Sequence, residues 1–99
     1  RAPRHESRLE SLRAMKLALL FFASLREQVG VSQEQIELPV AVTSAGELRR
    51  WLARRGEPWQ SALAPERAVR IAVNQALAAD QTPLTADAEV AFFPPVTGG

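Results

Sequence analysis

The chain has 99 residues, 46% of them hydrophobic and 23% charged, which is enough apolar material for one small core and leaves no room for a second domain. It has no cysteine, which excludes disulfides, a thiolate nucleophile and cysteine metal ligands and favours a reducing compartment. The net charge is +1, but four arginines and two glutamates lie in residues 1–14, so the remaining residues carry a net charge of −1. That balance argues against nucleic-acid binding, and no apolar run reaches the ~18 residues of a membrane span. We therefore expect a cytoplasmic protein.

Residues 1–14 precede the only methionine, Met15, and the first strand-like pattern begins directly after it. This placement favours Met15 as the natural start, with a disordered leader that is either a cloning remnant or an upstream translated extension. An arginine-rich organelle-targeting peptide is the alternative interpretation. His5, the only histidine, lies in this leader and is therefore a poor candidate for catalysis or metal binding.

The apolar run 16–22 predicts the first strand. Period-two alternation puts Leu17, Leu19 and Phe21 on one face and the remaining side chains, including Leu20 and Phe22, on the other.

A short helix is predicted next, because Ser24 and Glu27 have the spacing of a capping box and Gly30 can end the helix in the left-handed conformation. Residues 33–42 alternate apolar and polar side chains and predict a second strand, which Pro39 confines to an edge of the sheet or breaks.

Ser44 and Glu47 form a second capping box, which predicts the start of the main helix. Its apolar stripe contains Leu48, Trp51 and Leu52 at helical spacing, and Gly56 is predicted to end it. We expect this helix to cover one face of the sheet.

The opposite face of the main helix is basic. We interpret it as a solvated surface, with binding of a phosphate or an acidic partner as the alternative. Trp51 and Trp59 could stack on a ligand, but packing in the core is the favoured interpretation. The basic residues are Arg49, Arg50, Arg54 and Arg55.

The rest of the domain reads as a loop with a short helical turn (57–65), a third strand (68–73), a turn at Asn74-Gln75, and a final strand (89–93). In the final strand Val90 and Phe92 share one face.

The last six residues, 94–99, predict an extended tail. Pro94 and Pro95 cannot extend a sheet ladder and direct the chain away from it, and six extended residues span roughly 20 Å. Gly98 and Gly99 would let a narrow channel close around bare backbone and reach the terminal carboxylate. A frayed end is the alternative.

The face of the sheet away from the main helix is expected to be solvated, yet it also carries Leu20, Phe22 and Phe93. This arrangement favours a docking patch for a partner. The alternative is that segment 57–65 covers these side chains.

Three segments identify a resemblance. The opening MKLALLFFASLRE (15–27), the turn AVNQAL (72–77) and the ending AEVAFFPPVTGG (88–99) resemble the small, sulfur-carrier subunit of molybdopterin synthase, in order and spacing from Met15 to Gly99. One departure is Asp87-Ala88-Glu89, where the family usually has Gly-Asp-Glu.

The resemblance implies an α+β, ubiquitin-like β-grasp domain over residues 15–93, with a mixed sheet packed on one main helix and a projecting Gly-Gly tail. In this family an adenylating enzyme uses ATP and Mg²⁺ to activate the terminal glycine, which a sulfur donor converts to a thiocarboxylate. The tail then inserts into the large synthase subunit, in a two-plus-two assembly, and gives its sulfur to cyclic pyranopterin monophosphate.

Carried over to this sequence, Gly99 would hold the sulfur and Gly98 would allow passage into the partner. The threaded tail would add Pro94, Pro95, Val96 and Thr97, and the docking residues would be Phe22, Leu77 and Phe93, with Arg26 at the rim. No bound cofactor, metal site, nucleic acid or membrane is expected, and the subunit would have no catalytic side chain of its own.

Three alternatives remain at this stage. The chain could be a ubiquitin-like covalent modifier, a sulfur carrier of another pathway such as thiamine synthesis or tRNA thiolation, or a plain interaction domain with an incidental tail.

Overall fold

A computed structural model of the chain describes residues 14–95. The expected leader covers residues 1–14, but Ala14 is the first residue of the first strand instead. The remaining leader residues, 1–13, and Val96, Thr97, Gly98 and Gly99 lie outside the described part. In chain order the elements are β1 (Ala14–Phe21), α1 (Ala23–Val29), β2 (Gln33–Pro39), α2 (Ala45–Ala53), α3 (Trp59–Ala62), β3 (Arg70–Val73), β4 (Ala76–Ala78) and β5 (Glu89–Phe93).

The five strands form one mixed sheet in the order β2-β1-β5-β3-β4. The first and last strands, β1 and β5, are parallel neighbours at its centre, and the other pairs are antiparallel. Pro39 ends the edge strand β2, as its missing N–H requires, so this strand is three residues shorter than the sequence pattern suggested. The predicted mixed sheet is confirmed.

The inner face of the sheet and the three helices share one hydrophobic core. Phe21 and Phe92 stack at 5.5 Å between ring centroids, and the edge of Trp59 meets Phe21 at 5.3 Å. Burial of each such side chain contributes about 1.5–3 kcal/mol to folding. The strands supply Leu17, Leu19, Phe21, Ile36, Leu38, Ile71, Val90 and Phe92, and the helices supply Leu25, Val29, Leu48, Leu52 and Ala62.

The start of α1 differs from the prediction. Phe22, not Ser24, is the N-cap, and no side chain caps this helix. Ala23 adopts a φ of 54°, which turns the chain into the helix one residue after β1 ends. The turn is held by the Phe22 N–H, which donates to the Phe92 carbonyl at 3.1 Å. Gly30 ends the helix at a φ of 87°, as predicted.

The main helix, α2, begins as predicted at Ser44, whose Oγ accepts a hydrogen bond from the Glu47 N–H at 3.3 Å. The Glu47 carboxylate accepts hydrogen bonds from the N–H and the hydroxyl of Thr43, at 2.8 and 3.0 Å. These bonds lower the pKa of Glu47, the one from the Thr43 N–H most strongly. The helix stops with Arg54 as its C-cap, so Gly56, at a φ of 97°, lies in the following turn and does not end it.

The hairpin of β3 and β4 was predicted only as a strand and a turn. Asn74 and Gln75 have φ values of 51° and 71°, the two positive values of a two-residue hairpin turn. The Asn74 Oδ1 accepts from the Glu89 N–H at 3.0 Å, and the Asn74 N–H donates to the Glu89 carbonyl at 2.7 Å. The turn is therefore fixed to the start of β5.

The tryptophans pack against the core, as the favoured interpretation held. Arg55 lies over both rings, 4.6 Å from the centroid of Trp59 and 5.9 Å from that of Trp51. Its guanidinium also donates two hydrogen bonds to the Glu34 carboxylate, at 3.0 and 2.6 Å, which raise the pKa of Arg55. Among residues 14–95 there is no helix of the length and apolar character needed to cross a membrane.

Candidate functional site

The outer face of the sheet carries a continuous apolar surface. The strand register places Leu20 beside Ala91, Ala91 beside Ala72, and Ala72 beside Leu77, in one row across four strands. Phe22 and Phe93 lie two residues further along their chains on the same face. We call this surface the outer patch, and it consists of Leu20, Phe22, Ala72, Leu77, Ala91 and Phe93.

The predicted docking residues Phe22, Leu77 and Phe93 are therefore brought together on one face. Phe22 is 46% exposed and Leu77 is 65% exposed, while Phe93 is half-buried. Such exposure is unusual for large apolar side chains that lie side by side on a small domain.

Segment 57–65 does not cover the outer patch. Its short helix, α3, buries Ala62 in the core and places Trp59 against Phe21, on the inner side of the sheet. The alternative interpretation of the exposed aromatics is therefore wrong.

Charged side chains flank the outer patch. Lys16 pairs in register with Glu37 at one end of β1, and Arg70 pairs with Phe93 at the opposite end of the sheet. Glu89 starts β5 on the same face. An apolar centre with a charged rim is the usual composition of a protein–protein interface.

Arg26 is exposed in the last turn of α1, the helix that begins directly after Phe22. Within residues 14–95 its side chain makes no hydrogen bond or ion pair. Its backbone N–H donates to the Phe22 carbonyl at 3.3 Å, so Arg26 adjoins the outer patch through the backbone, but its side chain has no hydrogen bond to the patch.

The tail leaves the sheet beside the outer patch. Strand β5 ends at Phe93, as the two prolines predicted, and Pro94 and Pro95 follow as half-buried residues outside the sheet. Because β1 and β5 are parallel, Phe22 and Pro94 emerge from the same end of the central pair. The predicted roles of Val96, Thr97, Gly98 and Gly99 fall outside the described residues.

The basic face of α2 is only partly solvated. Arg55 bonds Glu34, and Arg49 donates to three backbone carbonyls: Leu63 at 3.0 Å, Ala64 at 2.6 Å and Arg67 at 2.8 Å. Burial lowers the pKa of Arg49 despite the opposing charge of Asp80. Arg50 and Arg54 are exposed. Residues 14–95 contain no group of three or more His, Cys, Asp or Glu side chains placed to hold a metal ion.

Ala72 was not predicted as part of the site, and Leu77 was predicted only from the family resemblance. The signal was present, because Asn at the turn is a mark of a two-residue hairpin, which would have paired Ala72 with Leu77.

The parallel central pair, the antiparallel flanking strands and the helix packed on one face make this a ubiquitin-like β-grasp protein. Solved structures with this fold include the following two. The putative molybdopterin converting factor subunit 1 from Pyrococcus furiosus matches with a TM-score of 0.68 and 28% identity, over 83% of this chain and 99% of that chain. SAMP1 from Haloferax volcanii matches with a TM-score of 0.65 and 22% identity, over 85% of this chain and 99% of that chain.

Residues 19–99 match the model of the ThiS family, and the chain belongs to that family. The molybdopterin synthase sulfur carrier subunit of Haemophilus influenzae is 41% identical over 83 residues, which span 84% of this chain and 99% of that protein. The family identified by resemblance from the sequence is thus confirmed.

Proposed function

We propose that the chain is the sulfur-carrier subunit of a molybdopterin synthase and that the carboxylate of Gly99 carries the sulfur. The observation that best supports this proposal is the place where the chain leaves the sheet. In this member of the ThiS family, a central strand with Val90 and Phe92 fully buried ends at Phe93 on the outer patch, and the sequence PPVTGG follows it directly. A firmly held strand gives the tail a fixed point of departure.

The chemistry proceeds in two activation steps. An adenylating partner uses ATP with Mg²⁺, and an oxygen of the Gly99 carboxylate attacks the α-phosphorus to give an acyl adenylate and pyrophosphate. A sulfur donor then replaces AMP at the carbonyl carbon and leaves a thiocarboxylate. The thiocarboxylate is nucleophilic at neutral pH without a local base, so acid and base groups belong to the partners.

In the large subunit the thiocarboxylate sulfur forms a bond to a carbon of cyclic pyranopterin monophosphate, which loses an oxygen substituent. Water then cleaves the acyl–sulfur bond and returns the Gly99 carboxylate. The outer patch binds that subunit, with Phe22, Leu77 and Phe93 as apolar anchors and Arg26 at the rim. Residues 94–99 thread into its active site, where the absence of side chains at Gly98 and Gly99 permits a narrow channel.

The test of the activation steps is mass spectrometry after incubation with the adenylating enzyme, ATP, Mg²⁺ and a sulfide source. We expect one oxygen-for-sulfur exchange located at Gly99. The matched control is the same chain with one alanine added after Gly99, which keeps the domain but moves the carboxylate from glycine. Equal sulfur loading of both chains would contradict the proposal, and lysine conjugates in place of the exchange would indicate a covalent modifier.

Docking to the large subunit and sulfur transfer are tested by reconstitution. We expect the chain to co-purify with a large synthase subunit and, once loaded with sulfur, to form molybdopterin from its precursor. A chain that lacks Gly98 and Gly99 should still co-purify, because the outer patch is intact, but should form no product. Product formation by the truncated chain would make the tail incidental.

A further inference from the structure

A second concave surface lies on the helix side of the molecule, away from the outer patch. It is a groove of about 380 Å³ between α2, the segment that follows α3, and the turn at Asp80. Its volume is near the lower end of the roughly 300–1,000 Å³ of ligand sites, so it fits a few residues of a peptide. Its apolar lining is Ala53, Leu63 and Pro65.

The wall of the groove is fixed by Arg49. This side chain crosses from α2 to the carbonyls of Leu63, Ala64 and Arg67, all within 3.0 Å, and so ties the facing segment to the helix. At the other end the helix touches the Asp80 turn, where the Gly46 N–H donates to the Asp80 carbonyl at 2.8 Å. Hydrogen bonds therefore tie the segments on both sides of the groove to α2.

The rim of the groove carries unpaired positive charge. Arg50 lies in α2, and Arg54, four residues later, is the C-cap of that helix and keeps a helical conformation, so both side chains point to the same side, where their like charges repel. Within residues 14–95 neither side chain donates a hydrogen bond or forms an ion pair. The nearest carboxylate along the helix, Glu47, accepts its hydrogen bonds from Thr43, although the charge of Arg50 helps to lower its pKa. Asp80 also lines the groove, and its charge faces Arg49.

We propose that this groove binds an extended acidic peptide segment of a protein partner, with an apolar side chain on the floor and flanking carboxylates on Arg50 and Arg54. Charge complementarity selects the acidic residues. The apolar floor selects a peptide, because inorganic phosphate would leave the accessible apolar surface of Ala53 and Pro65 uncovered, while Leu63 beneath them already belongs to the core. Nucleic acid does not suit a chain whose residues outside the leader carry a net charge of −1.

The position of the groove gives it a distinct use. It lies across the core from the outer patch, so it stays accessible while that patch is occupied. Only this consequence depends on the proposed function: the chain could be held at the groove by one partner and deliver its tail to another.

The experiment uses a fluorescein-labelled peptide with a central leucine flanked on each side by two glutamates. We expect saturable binding by fluorescence polarisation, and amide shifts in ¹⁵N spectra at Ala53, Arg54 and Leu63. Arg50→Gln combined with Arg54→Gln should weaken binding about fivefold or more, as loss of two charge-assisted contacts predicts. Both side chains are exposed, so the variant should keep the dispersion of its spectrum.

The matched control is Lys16→Gln combined with Arg70→Gln, which removes the same charge from the outer face. If both double variants weaken peptide binding equally, the binding depends only on the net charge of the protein, and the proposal is overturned. It is also overturned if the peptide with glutamines binds equally well, if inorganic phosphate or an oligonucleotide causes the same shifts more strongly, or if no saturable binding occurs. Binding that persists in the Phe93→Asp variant would support two independent surfaces. None of these binding measurements requires sulfur transfer, so the groove proposal and the proposed function of the tail can be refuted independently.

Discussion

The two faces of the sheet use the same kinds of side chain for different purposes. Phe21 and Phe92 are adjacent in sequence to Phe22 and Phe93, yet the first pair stacks in the core and the second pair lies on the outer patch. The inner face is closed by three helices, while no described helix packs on the outer face. Hydrophobic residues therefore stabilise the fold on the inner face and, in our proposal, bind a partner on the outer face.

The largest expected effect is on the inner face. Phe92→Ala should lower the free energy of unfolding by about 3–5 kcal/mol, because it removes a fully buried ring and leaves a cavity beside Phe21. Urea unfolding followed by circular dichroism measures this change. The matched variant Phe93→Ala should cost about 1 kcal/mol or less. Similar losses for the two variants would show that the faces do not differ in the way described.

The next effect tests how closely the helix side is packed. A Cβ on Gly46 would lie 3.0 Å from the carbonyl oxygen and two side-chain carbons of Asp80, so Gly46→Ala should destabilise by about 1–3 kcal/mol. On the outer face, Ala91→Val should stay within about 0.5 kcal/mol of the wild type. Thermal unfolding compares the two, and a larger loss for Ala91→Val would contradict the contrast.

On the outer face the expected effect is on binding. Phe93→Asp should weaken association with the large subunit by more than about 1 kcal/mol, a factor of about five, because it puts a charge at an apolar anchor. Isothermal titration calorimetry measures the affinity. The control Val40→Asp changes an apolar residue that is 59% exposed but outside the outer patch. Unchanged affinity for Phe93→Asp would refute docking through this face.

The smallest effect concerns acid stability at the start of α2. The pKa of Glu47 is lowered in the folded state, mainly by the Thr43 N–H, so its ionised form stabilises the fold above the unfolded pKa. This contribution is lost as the pH falls through the folded pKa. Glu47→Gln should therefore unfold at a lower temperature than the wild type near pH 7, and the difference should shrink as the pH falls through the folded pKa of Glu47. The control is Glu66→Gln, another exposed glutamate, and a gap independent of pH would contradict the assignment.

The strands on the inner face could be predicted from the sequence because their alternation is local and strong. Ser24 failed as a cap because a contact remote in sequence, between Phe22 and the Phe92 carbonyl, sets the turn into α1. Gly56 failed as a terminator because the chain leaves the helix at Arg54, before the glycine is reached. Strand β4 is three residues long with no pattern of its own, so only its pairing with β3 reveals it.

The sequence predicted most residues of the candidate site, but not how they lie next to one another. Alternation placed Leu20, Phe22 and Phe93 on one face, and the resemblance added Leu77. The row that joins them depends on strand order and register, which no single segment encodes. Arg49 shows the same limit, since its three carbonyl partners lie 14 to 18 residues away.

The parallel pairing of β1 with β5 fixes the position of Pro94 relative to Phe22 and Phe93. In the proposed function, a partner that binds Phe22 and Phe93 would also fix the position of Pro94, so the reach of the terminal carboxylate would be set by the number of residues that follow Pro94. Each residue inserted into an extended tail would overshoot by ~3.3–3.6 Å, more than twice the length of a covalent bond along the backbone. The length of the tail must therefore match the distance between the bound outer patch and the partner's active site in the proposed complex.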